Sequence, residues 1–226
     1  MRATALVVLP VLAGIAHADD RSFTRVWEYS TVPEGRTTID LWHTQSARTF
    51  EGTLEIEHGI TDSLDVALFS TVVDLGTGLH MQQTRAMGRY RLGERAEWPI
   101  DTLVQLSAAK DFDESLYRVE GLLVGARDFD RFLAAANAAI EVNFGNDREP
   151  DVIYAAAAGL TYQVYVTLKL GAETWGRLED DTELLSAGPV ANWYPTSNFW
   201  LTVGAGFGIT EASDNYIYRA ILGIEL

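Results

Sequence analysis

The stretch "LEIEHGITDSLDVALFS", residues 54–70, places apolar and acidic side chains at alternate positions on both sides of a short turn. The apolar positions are Leu54, Ile56, Leu64, Val66 and Leu68, and the acidic positions between them are Glu55, Glu57 and Asp65. Successive side chains of a β-strand point to opposite faces, so the pattern predicts two strands around the turn at residues 59–63. Each strand then has one apolar face and one charged face, and the question is which face lies inside.

The same alternation recurs along the chain, with turn residues between the extended segments and no convincing helical periodicity. In "NYIYRAILGIEL", residues 215–226, Tyr216 and Leu222 share one face, and Arg219 and Glu225 share the other. We predict an all-β fold, a single transmembrane antiparallel up-and-down β-barrel of twelve strands, with ten strands as the alternative. The predicted strands are 36–45, 49–59, 63–74, 78–92, 98–110, 115–127, 131–144, 151–162, 164–176, 182–193, 199–210 and 215–226.

Alternation alone does not separate a soluble β-protein from a membrane barrel, since strands of both have one apolar face. The extended segments are long, however, and about nine to eleven residues cross a bilayer as a tilted strand. The chain also ends within an alternating strand, which can pair with the first strand and close the sheet. Aromatic residues gather at segment ends, as in the girdles that flank a bilayer. They are Trp98, Tyr117, Tyr162, Tyr165, Trp175, Trp193, Tyr194, Phe199, Trp200, Tyr216 and Tyr218. These features favour the membrane barrel, and a soluble periplasmic β-protein is the alternative fold.

The first residues, "MRATALVVLPVLAGIAHADD", have the three parts of a secretory signal peptide. Arg2 precedes a short apolar run, and Ala16-His17-Ala18 matches an A-x-A cleavage site. The chain has no cysteine, so disulfide bonds do not stabilise it after export. We predict a signal peptide at residues 1–18, an N-terminal periplasmic segment at 19–35 with one short strand over 23–29, and the barrel at 36–226.

The predicted connections fall into two sets. Compact links lie around residues 61–62, around 163 and at 195–198, whereas acid-rich links lie at 111–114, 146–149, 179–181 and 211–214. Outer-membrane barrels have an even strand number, short periplasmic turns and longer external loops. We therefore predict a protein of the outer membrane of a Gram-negative bacterium, with the acid-rich links outside the cell.

Charge defines the candidate site. The formal net charge is -15, which argues against nucleic acid as a partner because phosphates require clustered Lys and Arg. A Lys or Arg on the lipid face costs about 2–4 kcal/mol at the midplane, so charged residues within strands are expected to face the lumen. The lumen candidates are Asp40, Glu51, Glu55, Glu57, Asp65, Arg85, Arg89, Arg91, Arg118, Glu120, Glu141, Lys169, Glu173, Arg219 and Glu225. Two interpretations stay open, since these charges either brace the lumen as ion pairs or filter solutes.

Three hairpins resemble those of a known group of barrels. They are "EHGITDSLDVAL" (57–68), "GPVANWYPTSNFWLTVGAGFGI" (188–209) and, more weakly, "GLTYQVYVTLKLGAE" (159–173). The group is the porin-like family of bacterial outer-membrane channels that is often labelled by a meta-pathway of phenol degradation. The resemblance implies an outer-membrane barrel more firmly than it implies a substrate. Such barrels usually end in Phe or Trp, which the insertion machinery reads, whereas this chain ends in Leu226.

We predict a passive channel or transporter for a small solute, with no enzymatic activity, no cofactor and no metal site. Two alternatives remain. One is a non-conducting structural or adhesion barrel, and the other is an outer-membrane hydrolase that uses His80 with Asp74, or His43. The expected partners are the lipid bilayer, lipopolysaccharide, a small-molecule solute and the barrel insertion machinery, and the chain is expected to be a monomer.

Overall fold

The computed structural model describes residues 21–226 except residues 48, 75, 77, 146, 147, 180 and 181, so the predicted signal peptide lies outside the described residues. Twelve strands are formed, which confirms the all-β prediction and makes the ten-strand alternative wrong. They are β1 (Thr37–Ser46), β2 (Phe50–Thr61), β3 (Leu64–Asp74), β4 (His80–Arg91), β5 (Asp101–Asp111), β6 (Tyr117–Phe129), β7 (Phe132–Gly145), β8 (Arg148–Tyr165), β9 (Leu168–Glu179), β10 (Thr182–Thr196), β11 (Phe199–Gly208) and β12 (Tyr216–Glu225). Within the described part of the chain, no helix is long and apolar enough to cross a membrane.

The strands form one closed antiparallel sheet. Each strand pairs with its neighbours in sequence, and β12 pairs with β1 from Thr38 opposite Glu225 to Ser46 opposite Ile217. The Leu226 amide donates to the Thr37 carbonyl at 2.8 Å, so the first and last strands meet at one end of the barrel. Closure gives every strand two partners, and the sheet has no open edge.

The polarity of the two faces of the sheet is the inverse of that in a soluble β-protein, with polar residues inside and apolar residues outside. In the hairpin of β2 and β3, Glu55, Glu57 and Asp65 are fully buried in the lumen. Leu68 lies on the opposite face and is 66% exposed, and Leu54, Ile56 and Val66 on the same face are exposed to a lesser degree. An apolar outer surface around a polar interior is the arrangement that lipid requires of a barrel. A soluble sandwich is therefore not the observed fold.

Two local predictions were wrong. The β8–β9 turn lies at residues 166–167, because β8 continues through Gln163 to Tyr165. Alternating apolar residues run through this turn, so periodicity could not locate it. Three aromatic residues predicted for the lipid girdles, Trp175, Tyr194 and Trp200, instead lie on the lumen face, where Tyr194 and Trp200 are buried.

The N-terminal region differs most from expectation. Residues 21–32, which we call the lumen segment, lie inside the barrel rather than outside it, and they form no strand over 23–29. Phe23, Val26 and Tyr29 pack against inward residues of β5 to β8 and β10, including Leu103 and Val124. The largest hydrophobic cluster of the described chain therefore lies within the lumen, between the lumen segment and the barrel wall.

Candidate functional site

The predicted lumen residues all occupy inward positions of their strands. The buried ones are Asp40, Glu55, Glu57, Asp65, Arg89, Glu173 and Glu225, and the half-buried ones are Glu51, Arg85, Arg91, Arg118, Glu120, Glu141, Lys169 and Arg219. The alternation of β-strand side chains places them there, since one face of each strand is apolar. Their part in solute passage stays a prediction.

Arg89 forms a compact ionic cluster in the lumen. Its Nε donates to Asp65 Oδ1 at 3.0 Å and its Nη2 donates to Asp65 Oδ2 at 2.8 Å, while Nη2 also contacts Glu57. All three side chains are almost completely buried. Paired, charge-assisted hydrogen bonds of this kind hold a guanidinium in a fixed orientation. The cluster ties β2, β3 and β4 together.

Arg21 anchors the lumen segment to two sides of the barrel. Its guanidinium donates to Asp40 at 3.3 Å and to Glu55 at 2.8 Å, and it stacks on the rings of Trp27 and Trp42. At β10 and β11, the Arg21 carbonyl accepts a hydrogen bond from Asn192 Nδ2 at 2.9 Å and another from the Thr202 hydroxyl. The segment therefore bridges β1 and β2 to β10 and β11.

Side chains of the wall satisfy the backbone of the lumen segment. Glu173 accepts hydrogen bonds from the amides of Thr24 at 3.1 Å and Arg25 at 2.8 Å. Asn137 accepts from the Trp27 amide at 2.6 Å and donates to the Trp27 carbonyl at 3.0 Å. Buried backbone groups without partners are costly, so these contacts permit an irregular segment to lie across the lumen.

The segment leaves the lumen beside the β2–β3 turn. The Val32 amide donates to Asp65 Oδ2 at 3.0 Å, and the Thr31 hydroxyl donates to the Asp62 carbonyl at 2.8 Å. Gly35 then pairs with Gly59 at 2.9 Å. Burial of Tyr29 in this segment raises the pKa of its phenol to about 12.

A cavity of about 360 Å³ lies against the lumen segment. Arg25, Val26 and Trp27 of the segment form part of its lining, and strand residues supply the rest. Its charged wall residues are Glu51, Arg85, Glu120, Arg177 and Arg219, and its aromatic wall residues are Trp42, Phe69 and Trp175. A second cavity, also of about 360 Å³, lies between Glu114, Arg118 and Glu179.

Three lumen arginines were missed by the sequence analysis. Arg177 has the inward parity of β9, but the predicted strand stopped at residue 176. Its guanidinium pairs with Glu141 at 3.3 Å. Arg21 and Arg25 were missed because their segment was predicted to lie outside the barrel. Extending the alternation of β9 would have found Arg177, whereas no periodicity marks the other two.

The histidines do not form the predicted hydrolase pair. His80 Nε2 lies 3.0 Å from Asp113 Oδ2, and its Nδ1 lies 3.3 Å from the Gly78 carbonyl. Asp74 instead accepts hydrogen bonds from the amides of Gly76 and Gly78. The His43 ring packs on Phe50 with a centroid separation of 5.1 Å. Among the described residues, no cluster of three or more His, Cys, Asp or Glu could hold a metal ion.

The closed sheet, its apolar outer face and its charged lumen define a twelve-stranded β-barrel of the kind that spans a membrane. No protein-family model matches the chain, and no curated protein matches it significantly. Solved structures do resemble it, and we compare the chain with three of them.

An outer-membrane channel from Pseudomonas putida F1 has a TM-score of 0.69 and 14% identity, over 90% of this chain and 100% of that one. The NanC porin has a TM-score of 0.63 and 9% identity, over 84% and 100% of the two chains. The KdgM porin, solved with a disordered oligogalacturonate, has a TM-score of 0.62 and 11% identity, over 83% and 97%. At such low identity, these likenesses establish the shared fold.

Proposed function

We propose that this protein is a passive channel for small solutes in the outer membrane of a Gram-negative bacterium. The observation that carries the proposal is a closed barrel with an apolar exterior and charged side chains along its interior. The three structures compared above support it, because they are porins and channels of the same architecture. One of them was solved with an oligogalacturonate, which favours a polar solute for this chain as well.

The lumen segment restricts this pathway. Arg21, Glu173 and Asn137 hold it across the barrel, so solutes must pass beside it or displace it. The same observation favours a second candidate, a non-conducting barrel that braces the envelope. Conductance of the wild-type protein separates the two functions, and displacement of the segment shows whether the segment limits the current.

Several finer features belong to the same proposal. The alternating hairpins favour membership in the meta-pathway-labelled channel family, and the acid-rich connections are placed outside the cell. Of these connections, residues 146, 147, 180 and 181 lie outside the described residues. The chain acts as a monomer that contacts lipid and lipopolysaccharide and is assembled by the barrel insertion machinery.

Planar-bilayer recordings test the function. The wild-type protein is expected to give small, discrete conductance steps, and Arg21→Ala is expected to give larger ones. Loss of the guanidinium removes the contacts to Asp40 and Glu55 that hold the segment. Lys110→Ala is the matched control, because the Lys110 ammonium contacts exposed Tyr117 on the outer face of the barrel, away from the lumen segment.

A cysteine pair gives a second, reversible measurement. The chain has no native cysteine, and a Cβ built on Gly204 lies 2.9 Å from Thr24 Cγ2. In Thr24→Cys/Gly204→Cys, an oxidised disulfide is expected to hold conductance at its low level, and a reducing agent is expected to raise it. A flat trace from wild type, from Arg21→Ala and from the reduced pair would support the non-conducting barrel instead.

A further inference from the structure

We propose that the cavity against the lumen segment is a binding site for small hydroxylated carboxylates, with Arg25, Arg85 and Arg219 as the carboxylate-binding groups. The proposal rests on the proposed channel function, because the ligand reaches the cavity through the lumen. It adds a ligand class and a defined site to that function.

The three arginines lack the partners that the other lumen arginines have. Within the described part of the chain, no carboxylate lies within 4.0 Å of Arg25, Arg85 or Arg219. By contrast, Arg89 and Arg177 each bind carboxylates at or below 3.3 Å. Three guanidinium groups without a direct ion pair therefore line one cavity, and a bound anion can satisfy them.

Each of these guanidinium groups lies over an aromatic ring within the range of a cation–π interaction. Arg85 lies 3.9 Å from the centroid of Phe69, Arg25 lies 5.3 Å from that of Trp175, and Arg219 lies 5.4 Å from that of Trp42. A cation–π interaction uses the flat face of a guanidinium, so N–H donors of its edge can still bind a carboxylate. The aromatic rings thus orient the arginines without neutralising their charge.

Unsatisfied donors point to a missing partner. The Nε atoms of Arg25 and Arg85 are buried and have no hydrogen-bond acceptor among the described residues. The same holds for the Nε atoms of three arginines whose guanidinium groups each pair with a carboxylate through Nη2, namely Arg91, Arg118 and Arg177. Buried donors of native proteins are normally paired, and an unpaired one is costly. Arg219 gives one hydrogen bond to Thr44 and one to the Thr24 carbonyl, neither of which carries charge.

A purely bracing role does not explain this arrangement. The three arginines line one cavity without forming an ion pair among the described residues, and Glu51 and Glu120 of the same cavity offset only part of their charge. Arg25 is brought there by its backbone amide, which donates to Glu173 at 2.8 Å. Convergence of like charges on a cavity is instead typical of anion sites, where the ligand supplies the opposite charge.

Two carboxylates on the same cavity define the ligand further. Glu51 and Glu120 line the cavity and have no ion pair within 4.0 Å among the described residues. Each can accept hydrogen bonds from hydroxyl groups. They also reduce the net positive charge of the cavity, which favours release of a single carboxylate. The site therefore suits a small acid that carries hydroxyl groups.

Calorimetric titration of the full-length protein in detergent micelles tests the proposal. D-glucuronate and D-glucose are the probes, because they share a hydroxylated ring and differ at one carboxylate. Saturable binding of glucuronate and no binding of glucose are expected. Arg85→Gln is expected to weaken glucuronate binding by about 10- to 100-fold, as the loss of charged hydrogen bonds predicts.

Arg118→Gln is the matched control, since Arg118 is also a lumen arginine but pairs with Asp111 at 3.0 Å outside this cavity. Its affinity for glucuronate is expected to equal that of wild type. Should Arg85→Gln fail to fold, as judged by heat-modifiable migration on a denaturing gel, Arg219→Gln serves in its place. Equal affinity for glucose and glucuronate, no glucuronate binding, or an unchanged affinity in the folded arginine variant would overturn the proposal.

Binding in micelles and conductance in bilayers test the site and the channel function separately. Glucuronate binding together with flat bilayer traces would overturn the channel function and leave the site standing. Conductance without arginine-dependent glucuronate binding would overturn the site and leave the channel standing.

Discussion

Arg89 shows how a single residue organises the interior of this barrel. It is 1% exposed and is held by Asp65 and Glu57, which are also buried. Two carboxylates and one guanidinium leave a negative charge in a closed environment. Arg21 lies 3.8 Å from Glu57 and compensates part of that charge. The lumen segment and the wall are therefore linked through one shared carboxylate.

Removal of Arg89 should be strongly destabilising. In Arg89→Ala, two buried carboxylates lose their partner, and an uncompensated buried charge costs about 3–5 kcal/mol. The free energy of unfolding in lipid vesicles, measured by denaturant titration, checks this value. Arg95→Ala, which breaks an exposed pair, should change it by less than about 1 kcal/mol. Equal effects of the two substitutions would contradict the proposed contribution of the buried cluster to the free energy of unfolding.

At the scale of elements, the lumen segment contributes to the packed interior of the barrel although it has no regular secondary structure. Its hydrogen bonds go to wall side chains such as Glu173 and Asn137 rather than to a neighbouring strand. Its apolar side chains complete a core that the strands alone do not form. The wall fits the segment closely at Gly159 on β8, where any Cβ would overlap the ring of Phe23.

A valine at this position should loosen the segment. Gly159→Val forces Phe23 out of its place, and overpacking of this kind costs about 1–3 kcal/mol. Hydrogen exchange of the Thr24 and Arg25 amides should therefore accelerate by about 10- to 100-fold. Gly121→Val is the control, because a Cβ at Gly121 meets nothing within 4 Å. Unchanged exchange in Gly159→Val would show that the segment is not held by this contact.

The strands were predictable because their signal is local, whereas the segment was not. Inward and outward residues alternate within each strand, and the inward positions of Asp40, Glu120 and Arg219 follow from that period alone. The Glu173 contact to Thr24, in contrast, joins residues separated by 149 positions. A turn within continued alternation, as at residues 166–167, also leaves no local signal.

At the scale of the whole molecule, the barrel has an apolar outer surface that suits contact with lipid. Leu68 lies near the middle of β3 and is 66% exposed, and the buried interior is rich in charged and hydroxyl groups. Such a surface is unfavourable in water and favourable in a bilayer. The fold therefore predicts a steep dependence of stability on depth in the membrane.

Arginine substitutions on the outer face test this dependence. Leu68→Arg should lower the free energy of unfolding in phosphatidylcholine vesicles by about 2–4 kcal/mol, as expected for a site near the midplane. Val166→Arg, in the β8–β9 turn, should cost about 0–1 kcal/mol because turns lie near the interface. Equal costs at the two positions would argue against a membrane-spanning barrel.

The sequence by itself determined the all-β barrel fold, the faces of the strands and the inward position of the charged residues, whereas the structure decided between twelve strands and ten. Period-two alternation is a local property, and the hairpin at residues 54–70 already carries it. Only the tertiary structure decided what fills the lumen and which arginines stay unpaired. Those outcomes depend on contacts between residues far apart in the chain, such as Arg21 with Glu55 and Thr24 with Glu173, and no local pattern encodes such contacts.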